Sequence, residues 1–386
     1  MVGRGAAETG ALPDGGPKMT PSKASPSKAL VTVLLVSATF GCGSPPPRSP
    51  AAPDAGTPPP PPPTDAIVVS DAGQAPPVDG AAPRSEDAAP PSPDGGPPPP
   101  DAPSPAAVLG EFPLAAAMAA KPELYAMSGG HVEGPSWRDG EIFMAVVGKG
   151  LLRVGADRKV TSYLPGLHPL GSFLLGDGSL LVCDDNNTMV QVFRDGKVGI
   201  IGTSGVCNDI TVDADGNIYF SDFKSSVYRI TPEGQQTKVL TLNAPNGLEV
   251  DPAGKYLYIL PRPNDIYRVM IDKNGPVGQA EKVGVVPGKV TDGCVFDAWG
   301  NLWAAAYYEG KVAIFDPVKR QVLASIDTGG GGLTNMTWGG PNLDELYTTN
   351  DGKGVFRIPV GVKGFRGHPG APKYVLRGYL NITPAN

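Results

Sequence analysis

Between residues 131 and 375 the chain is a succession of short runs in which apolar and polar residues alternate, most of them introduced by a polar turn ending in glycine. The phrases WRDGEIFMAV, LGDGSLLVCD, DADGNIYFSD and DPAGKYLYIL place Gly140, Gly178, Gly216 and Gly254 at a constant step of 38 positions. A fifth copy, DAWGNLWAAA at Gly300, follows a longer gap, and GGPNLDELYTT is a degenerate sixth. Period-two alternation predicts strands. Each copy continues into a third strand (KGLLRV, TMVQVFR, SVYRITP, DIYRVMI, KVAIFDP, KGVFRIP) and a fourth such as KVTSYLP or QVLASI. A repeat of this length built only of strands predicts an all-β, six-bladed β-propeller. The blades fall at 131–166, 167–204, 205–243, 244–288, 289–330 and 331–375. Residues 108–127 or the C-terminal YVLRGYL are expected to add a strand that closes the ring, since closure removes exposed sheet edges.

The first hundred residues carry none of this pattern. Residues 43–107 are dominated by Pro, Ala, Asp and Gly, with too few large apolar side chains to offset ordering entropy, which predicts a disordered linker before a domain at 108–386. Upstream, Lys18, Lys23 and Lys28 precede the apolar run 29–41, the length of a signal-peptide core, with Met19 as a plausible start. Residues 1–42 therefore read as a signal segment ending at Cys42. A cysteine after Gly41 resembles a bacterial lipoprotein cleavage site, although Thr39 stands where that motif usually has Leu. Cys42 is thus a candidate for lipidation and the only expected membrane attachment; plain secretion and a retained anchor are the alternatives. Gly43 rather than Asp after the cysteine favours the outer membrane. The expected location is the bacterial cell envelope. The net charge of −6 and the lack of a basic run exclude nucleic acid as a natural partner, and no oligomer is indicated. Cys183, Cys207 and Cys294 allow one disulfide at most within the domain.

Aligning the blades on their glycines exposes candidate chemistry. Glu133, Asn208, Asn246 and Asp292 stand 7, 8, 8 and 8 positions before Gly140, Gly216, Gly254 and Gly300, while Leu170 stands eight before Gly178. These residues lead into the innermost strands, so four oxygen-bearing side chains would converge on the channel. Two carboxylates and two amide carbonyls suit one hard divalent ion, Ca²⁺ first, with Mg²⁺, Mn²⁺ or Zn²⁺ also possible. Taken singly, Asp and Asn at such positions also serve as turn caps, and PNG is a common turn sequence. His168 leads blade two, and Tyr307 and Arg262 follow second strands; all three are candidate substrate contacts. His131, two residues before Glu133, is expected on the opposite face of its strand. Asp139, Asp177, Asp215 and Asp251 belong to outer hairpins, and Trp137, Trp303 and Trp338 to packing between blades. No GxSxG elbow, HExxH or P-loop occurs.

The segments VEGPSW, CNDITVDADGNIYFSD, APNGLEVDPAGKYLYI, TDGCVFDAWGNLWAAAYYEGKVAIFDP and TNMTWGGPNLDELYTT resemble successive blades of the senescence marker protein / gluconolactonase / luciferin-regenerating enzyme family. The resemblance implies a six-bladed propeller with one divalent metal, often calcium, and hydrolysis of a lactone or related small ester. It makes Glu133, Asn246 and Asp292 metal ligands, Asn208 a metal or substrate contact, and Asp292 the general base. Sugar-lactone members of one branch carry an Arg two positions before the blade-three Asn; Val206 stands here, and FKSSV replaces a later acidic residue. The mouth is thus less polar than a sugar site needs. A non-enzymatic binding propeller on a lipid tether is the alternative reading.

Overall fold

The recurrent glycines are the hinges of the fold. Gly140, Gly178, Gly216, Gly254 and Gly300 all adopt positive φ between 67° and 87°, a region that penalises a Cβ and reverses the chain between strands. Asp213 and Asp297 brace two of these turns, each accepting backbone N–H bonds from residues two and four further on. The computed structural model describes residues 109–184, 186–203, 205–368, 370 and 373–385; the signal segment, Cys42 and the linker lie outside them.

A short helix, α1 (Leu114–Ala119), precedes β1 (Glu123–Met127). Blade one is β2 (Val132–Arg138), β3 (Glu141–Val146), β4 (Gly150–Val154) and β5 (Val160–Leu164). Blade two is β6 (Pro169–Leu174), β7 (Leu180–Asp184), β8 (Thr188–Val192) and β9 (Val198–Thr203). Blade three is β10 (Cys207–Val212), β11 (Ile218–Asp222), β12 (Ser226–Ile230) and β13 (Gln236–Thr241). Blade four is β14 (Pro245–Val250), β15 (Tyr256–Pro261), β16 (Asp265–Asp272) and β17 (Gly275–Val285). Blade five is β18 (Thr291–Phe296), β19 (Leu302–Ala306), β20 (Lys311–Asp316) and β21 (Gln321–Asp327). Blade six has β22 (Leu333–Gly339), β23 (Glu345–Asn350) and β24 (Gly354–Ile358), and β25 (Gly378–Leu380) follows.

Each blade is an antiparallel meander, and of the two segments expected to close the ring the N-terminal one does so, while the C-terminal one only extends a blade edge. β1 supplies the outer strand of blade six beside β24, and β25 adds a fifth strand to blade two beside β9. Each innermost strand packs on the next, with β22 returning to β2. The core lies between the blades: Trp303 of blade five meets Trp338 of blade six edge to face, with ring centroids 5.0 Å apart. After β24 the chain crosses the channel's far end, where Phe365 donates to the Phe296 carbonyl and Tyr374 to the Gly216 carbonyl.

One local device shapes the near end. All six innermost strands are bulged just past their first residues: between Glu133 and Ser136, Pro169 and Ser172, Cys207 and Ile210, Pro245 and Leu248, Thr291 and Cys294, and Leu333 and Asn335. A bulge breaks the pairing locally and re-aims side chains. The third residue of four of these strands is glycine, and the backbones touch there. A Cβ on Gly247 would fall on the Asp292 carbonyl oxygen, and one on Gly293 on the Asn335 amide. Gly247→Ala is therefore expected to destabilise the domain by about 1–3 kcal/mol through overpacking, read as a fall in Tm.

Candidate active site

The second residues of the six innermost strands occupy equivalent positions just inside the channel mouth. In blade order these are Glu133, Leu170, Asn208, Asn246, Asp292 and Thr334. Four blades thus present carboxylate or amide side chains and blade two a leucine, while Thr334 is fully buried with its hydroxyl bonded to the Val132 carbonyl and Thr349. Glu133, Leu170, Asn208 and Asp292 line one cavity of about 470 Å³ with His131, Val206, Phe223, Arg262, Val290, Tyr307, Tyr308 and Asp351. Asn246 lies under Asp292, only 1% exposed. His168 is exposed and does not line this cavity; its backbone N–H donates to Asp184 Oδ1 at 2.9 Å.

The site's electrostatics follow from burial. Desolvation pushes the Asp292 carboxyl up to about 7, against the pull of the Arg262 guanidinium, whose Nη2 is 3.4 Å from Asp292 Oδ2. Glu133 is raised well above the ordinary carboxylate range by burial and then by the carboxylates of Asp292 and Asp209. The Asn246 amide is near enough to Asp292 to ease its charge, yet neither Oδ1 nor Nδ2 has a hydrogen-bond partner of good geometry. A buried amide left unpaired costs about 1–3 kcal/mol. Two like-charged buried carboxylates beside an orphaned amide oxygen are what a bound cation would resolve, so the residues present fit a divalent ion. Among the described residues no three His, Cys, Asp or Glu side chains form a metal cluster by themselves; this donor set depends on its asparagines.

The structure corrects one expectation. His131 does not turn away from Glu133: its Nε2 is 3.5 Å from Glu133 Oε1 and its Nδ1 is 2.7 Å from Asp351 Oδ1. Residues two apart along an extended chain share a face, so His131, just ahead of β2, lies on the Glu133 side rather than opposite it. Asp351 also accepts from the Tyr307 hydroxyl at 2.5 Å and from Val132 N–H. Its hydrogen bond raises the His131 pKa, and Asp351, despite burial, is held below the ordinary value by His131 and Tyr307. Asp351 escaped the sequence reading because blade six has a longer first hairpin, which shifts its register. Phe223 and Tyr307 follow Gly216 and Gly300 by seven positions, and Arg262 follows Gly254 by eight, so the same register marks those loops as mouth residues.

Beneath this layer Asp209, Glu249, Ser136, Ser172 and Asn335 line a small chamber of about 60 Å³. Asn335 donates to Asp209 across it at 3.4 Å, and Thr211 donates to Glu249 at 2.7 Å. Burial raises Asp209 to about 7 and Glu249 to about 8. Unfolded carboxyls titrate near pH 4, so between about pH 4 and 8 the folded state holds protons that the unfolded state has lost, and stability falls as pH rises. Denaturant midpoints are expected to drop from pH 5 to pH 9, and Glu249→Gln, which can still accept from Thr211, should flatten the upper part of that decline.

The other cysteines resolve as one pair. Cys183 and Cys207 form a disulfide joining β7 of blade two to β10 of blade three, next to Asn208, and Cys294 is free and buried.

Residues 132–351, more than half of the chain, match the family model described as SMP-30/Gluconolactonase/LRE-like region. The chain belongs to this family. Among its relatives, regucalcin of Macaca fascicularis is 28% identical over 211 residues, covering 48% of this chain and 68% of that protein. A pentonolactonase of Haloferax volcanii is 27% identical over 189 residues, 46% of this chain and 65% of that protein. The solved structure of a gluconolactonase from Xanthomonas campestris has a TM-score of 0.57 at 22% identity, covers 64% of this chain and 92% of that one, and shares the fold. In this member of the SMP-30/gluconolactonase family, Val206 and Phe223 contribute apolar surface to the mouth.

Proposed function

We propose that this propeller is a divalent-metal-dependent hydrolase of a lactone or related small ester, held at the cell envelope by a lipid on Cys42. The observation that carries the reading is the meeting of Glu133, Asp292 and the unpartnered Asn246 amide at the floor of an open cavity. Glu133, Asn246 and Asp292 would hold the ion, with Asn208 as an added contact to ion or substrate. When bound there, a divalent ion supplies positive charge that polarises an ester carbonyl and acidifies water. Asp292 accepts the proton of the attacking water; burial raises its carboxyl to about 7 in the ion-free site, and a cation beside it would lower that and keep it ionised, as a base must be. Tyr307 and Arg262 line the approach together with apolar Leu170, Val206 and Phe223.

The lactonase names borne by relatives support this chemistry. The Cys183–Cys207 disulfide supports an oxidising compartment outside the cytoplasm. A purely binding propeller would fit a channel filled by apolar side chains; the carboxylate floor speaks against it. The test is a panel of lactones and aryl esters assayed with Ca²⁺, Mg²⁺, Mn²⁺ and Zn²⁺. Ion-dependent turnover of at least one ring ester is expected; no turnover with any ion overturns the reading. Incorporation of radiolabelled palmitate, lost in Cys42→Ser, tests the tether.

A further inference from the structure

We infer that Arg262 selects a substrate carrying a carboxylate, so that the ring ester taken by this site is an anionic lactone rather than a neutral polyhydroxylated one. The inference rests on the lactonase reading and names its substrate class. Arg262 is the only Lys or Arg among the residues lining the mouth. Its guanidinium lies 4.4 Å over the Phe223 ring. Stacking of this kind fixes the plane of the fork and leaves its edge for in-plane hydrogen bonding.

That fork is under-used. Its one hydrogen bond among the described residues is the long contact from Nη2 to Asp292 Oδ2 at 3.4 Å, and its Nε is buried with no partner. The buried Nε donor is costly unless an acceptor arrives, and the acceptor that matches the geometry of a guanidinium fork is a carboxylate. Asp351 is tied to His131 and Tyr307, which leaves Asp292, at 3.4 Å from Nη2, as the one acid that holds part of the fork. The side chain is 34% exposed, so a ligand entering the cavity reaches it without unfolding the mouth. A sugar lactone would offer only hydroxyls to this charge and would set its polar rim against Val206 and Phe223.

The test separates recognition from turnover. The probes are γ-butyrolactone with and without a carboxylate on its γ carbon, and the two corresponding γ-lactams as non-hydrolysed analogues, all with calcium present. Calorimetry is expected to show the carboxylate lactam binding at least tenfold more tightly than the neutral one. Arg262→Gln should erase that preference, and Arg262→Lys, which keeps the charge without the fork, should retain part of it. In turnover, the ratio of kcat/KM for the two lactones should collapse in Arg262→Gln, mainly through KM. Equal binding of the two lactams by the native protein, or a preference that survives Arg262→Gln, overturns the inference. Lactone hydrolysis without carboxylate preference would leave the enzyme reading standing alone. Arg262-dependent binding of the carboxylate lactam without hydrolysis of any lactone would sustain Arg262 as an anion receptor and sink the enzyme reading.

Discussion

Asp292→Asn is expected to lower kcat for lactone hydrolysis about a thousandfold, within the range that a positioned general base contributes. The replacement is nearly isosteric, and the amide oxygen it introduces still accepts from Arg262 Nη2. What it removes is a carboxyl that combines near-complete burial with a pKa raised to about 7 and a place beside the open cavity. Loss of fold does not explain such an effect. Asp292 is a carboxyl whose burial costs stability above its pKa, so at pH 8 the amide variant should be at least as resistant to denaturant as the native protein. The sign of the pH profile adds a second check. A base works ionised, so kcat/KM should rise with pH through the folded-state pKa, and added divalent ion, by stabilising the carboxylate, should move that limb to lower pH. A variant that keeps more than a tenth of native activity would remove Asp292 from the role of base.

The candidate floor was legible because a propeller repeats its register. Once the hairpin glycines set the blades, Glu133, Asn208, Asn246 and Asp292 had to share one level, and each is the second residue of its innermost strand. Leu170 was equally legible as the break in that pattern. The resemblance to a family added roles that spacing could not supply. What stayed hidden lies where the register fails. Asp351 follows a hairpin whose strands β22 and β23 are each one residue longer than β18 and β19 of blade five, and His131, expected to turn away, shares the Glu133 side as residues two apart on an extended chain do. Asp209 and Asn335 replace glycine at the third position of their strands, and only the crossing of the channel by two non-adjacent blades makes them partners. The choice of Cys183 over Cys294 as the partner of Cys207 depended on blade-to-blade distance, which residue counting does not give.

The second large effect is on stability. Millimolar Ca²⁺ is expected to raise Tm by several degrees and EDTA to reverse the gain, since an ion at a hundredfold excess over its Kd contributes about 2.7 kcal/mol. The floor is built for that response: without a cation, Glu133 and Asp292 must hold protons or repel, and the Asn246 amide has no hydrogen-bond partner of good geometry. Asn246→Ala discriminates this origin from a general salt effect, because its two consequences have opposite sign. In EDTA the variant sheds an orphaned polar group and should match or exceed the native Tm. In Ca²⁺ it should lose most of the native gain. Glu133→Gln should behave alike, with the added feature that its EDTA form resists the loss of stability at high pH, one of the buried carboxyls having been neutralised. A native Tm indifferent to Ca²⁺, Mg²⁺, Mn²⁺ and Zn²⁺ alike would mean that the floor is stabilised by its own protons, and that its four oxygen side chains serve the packing of the ring rather than an ion.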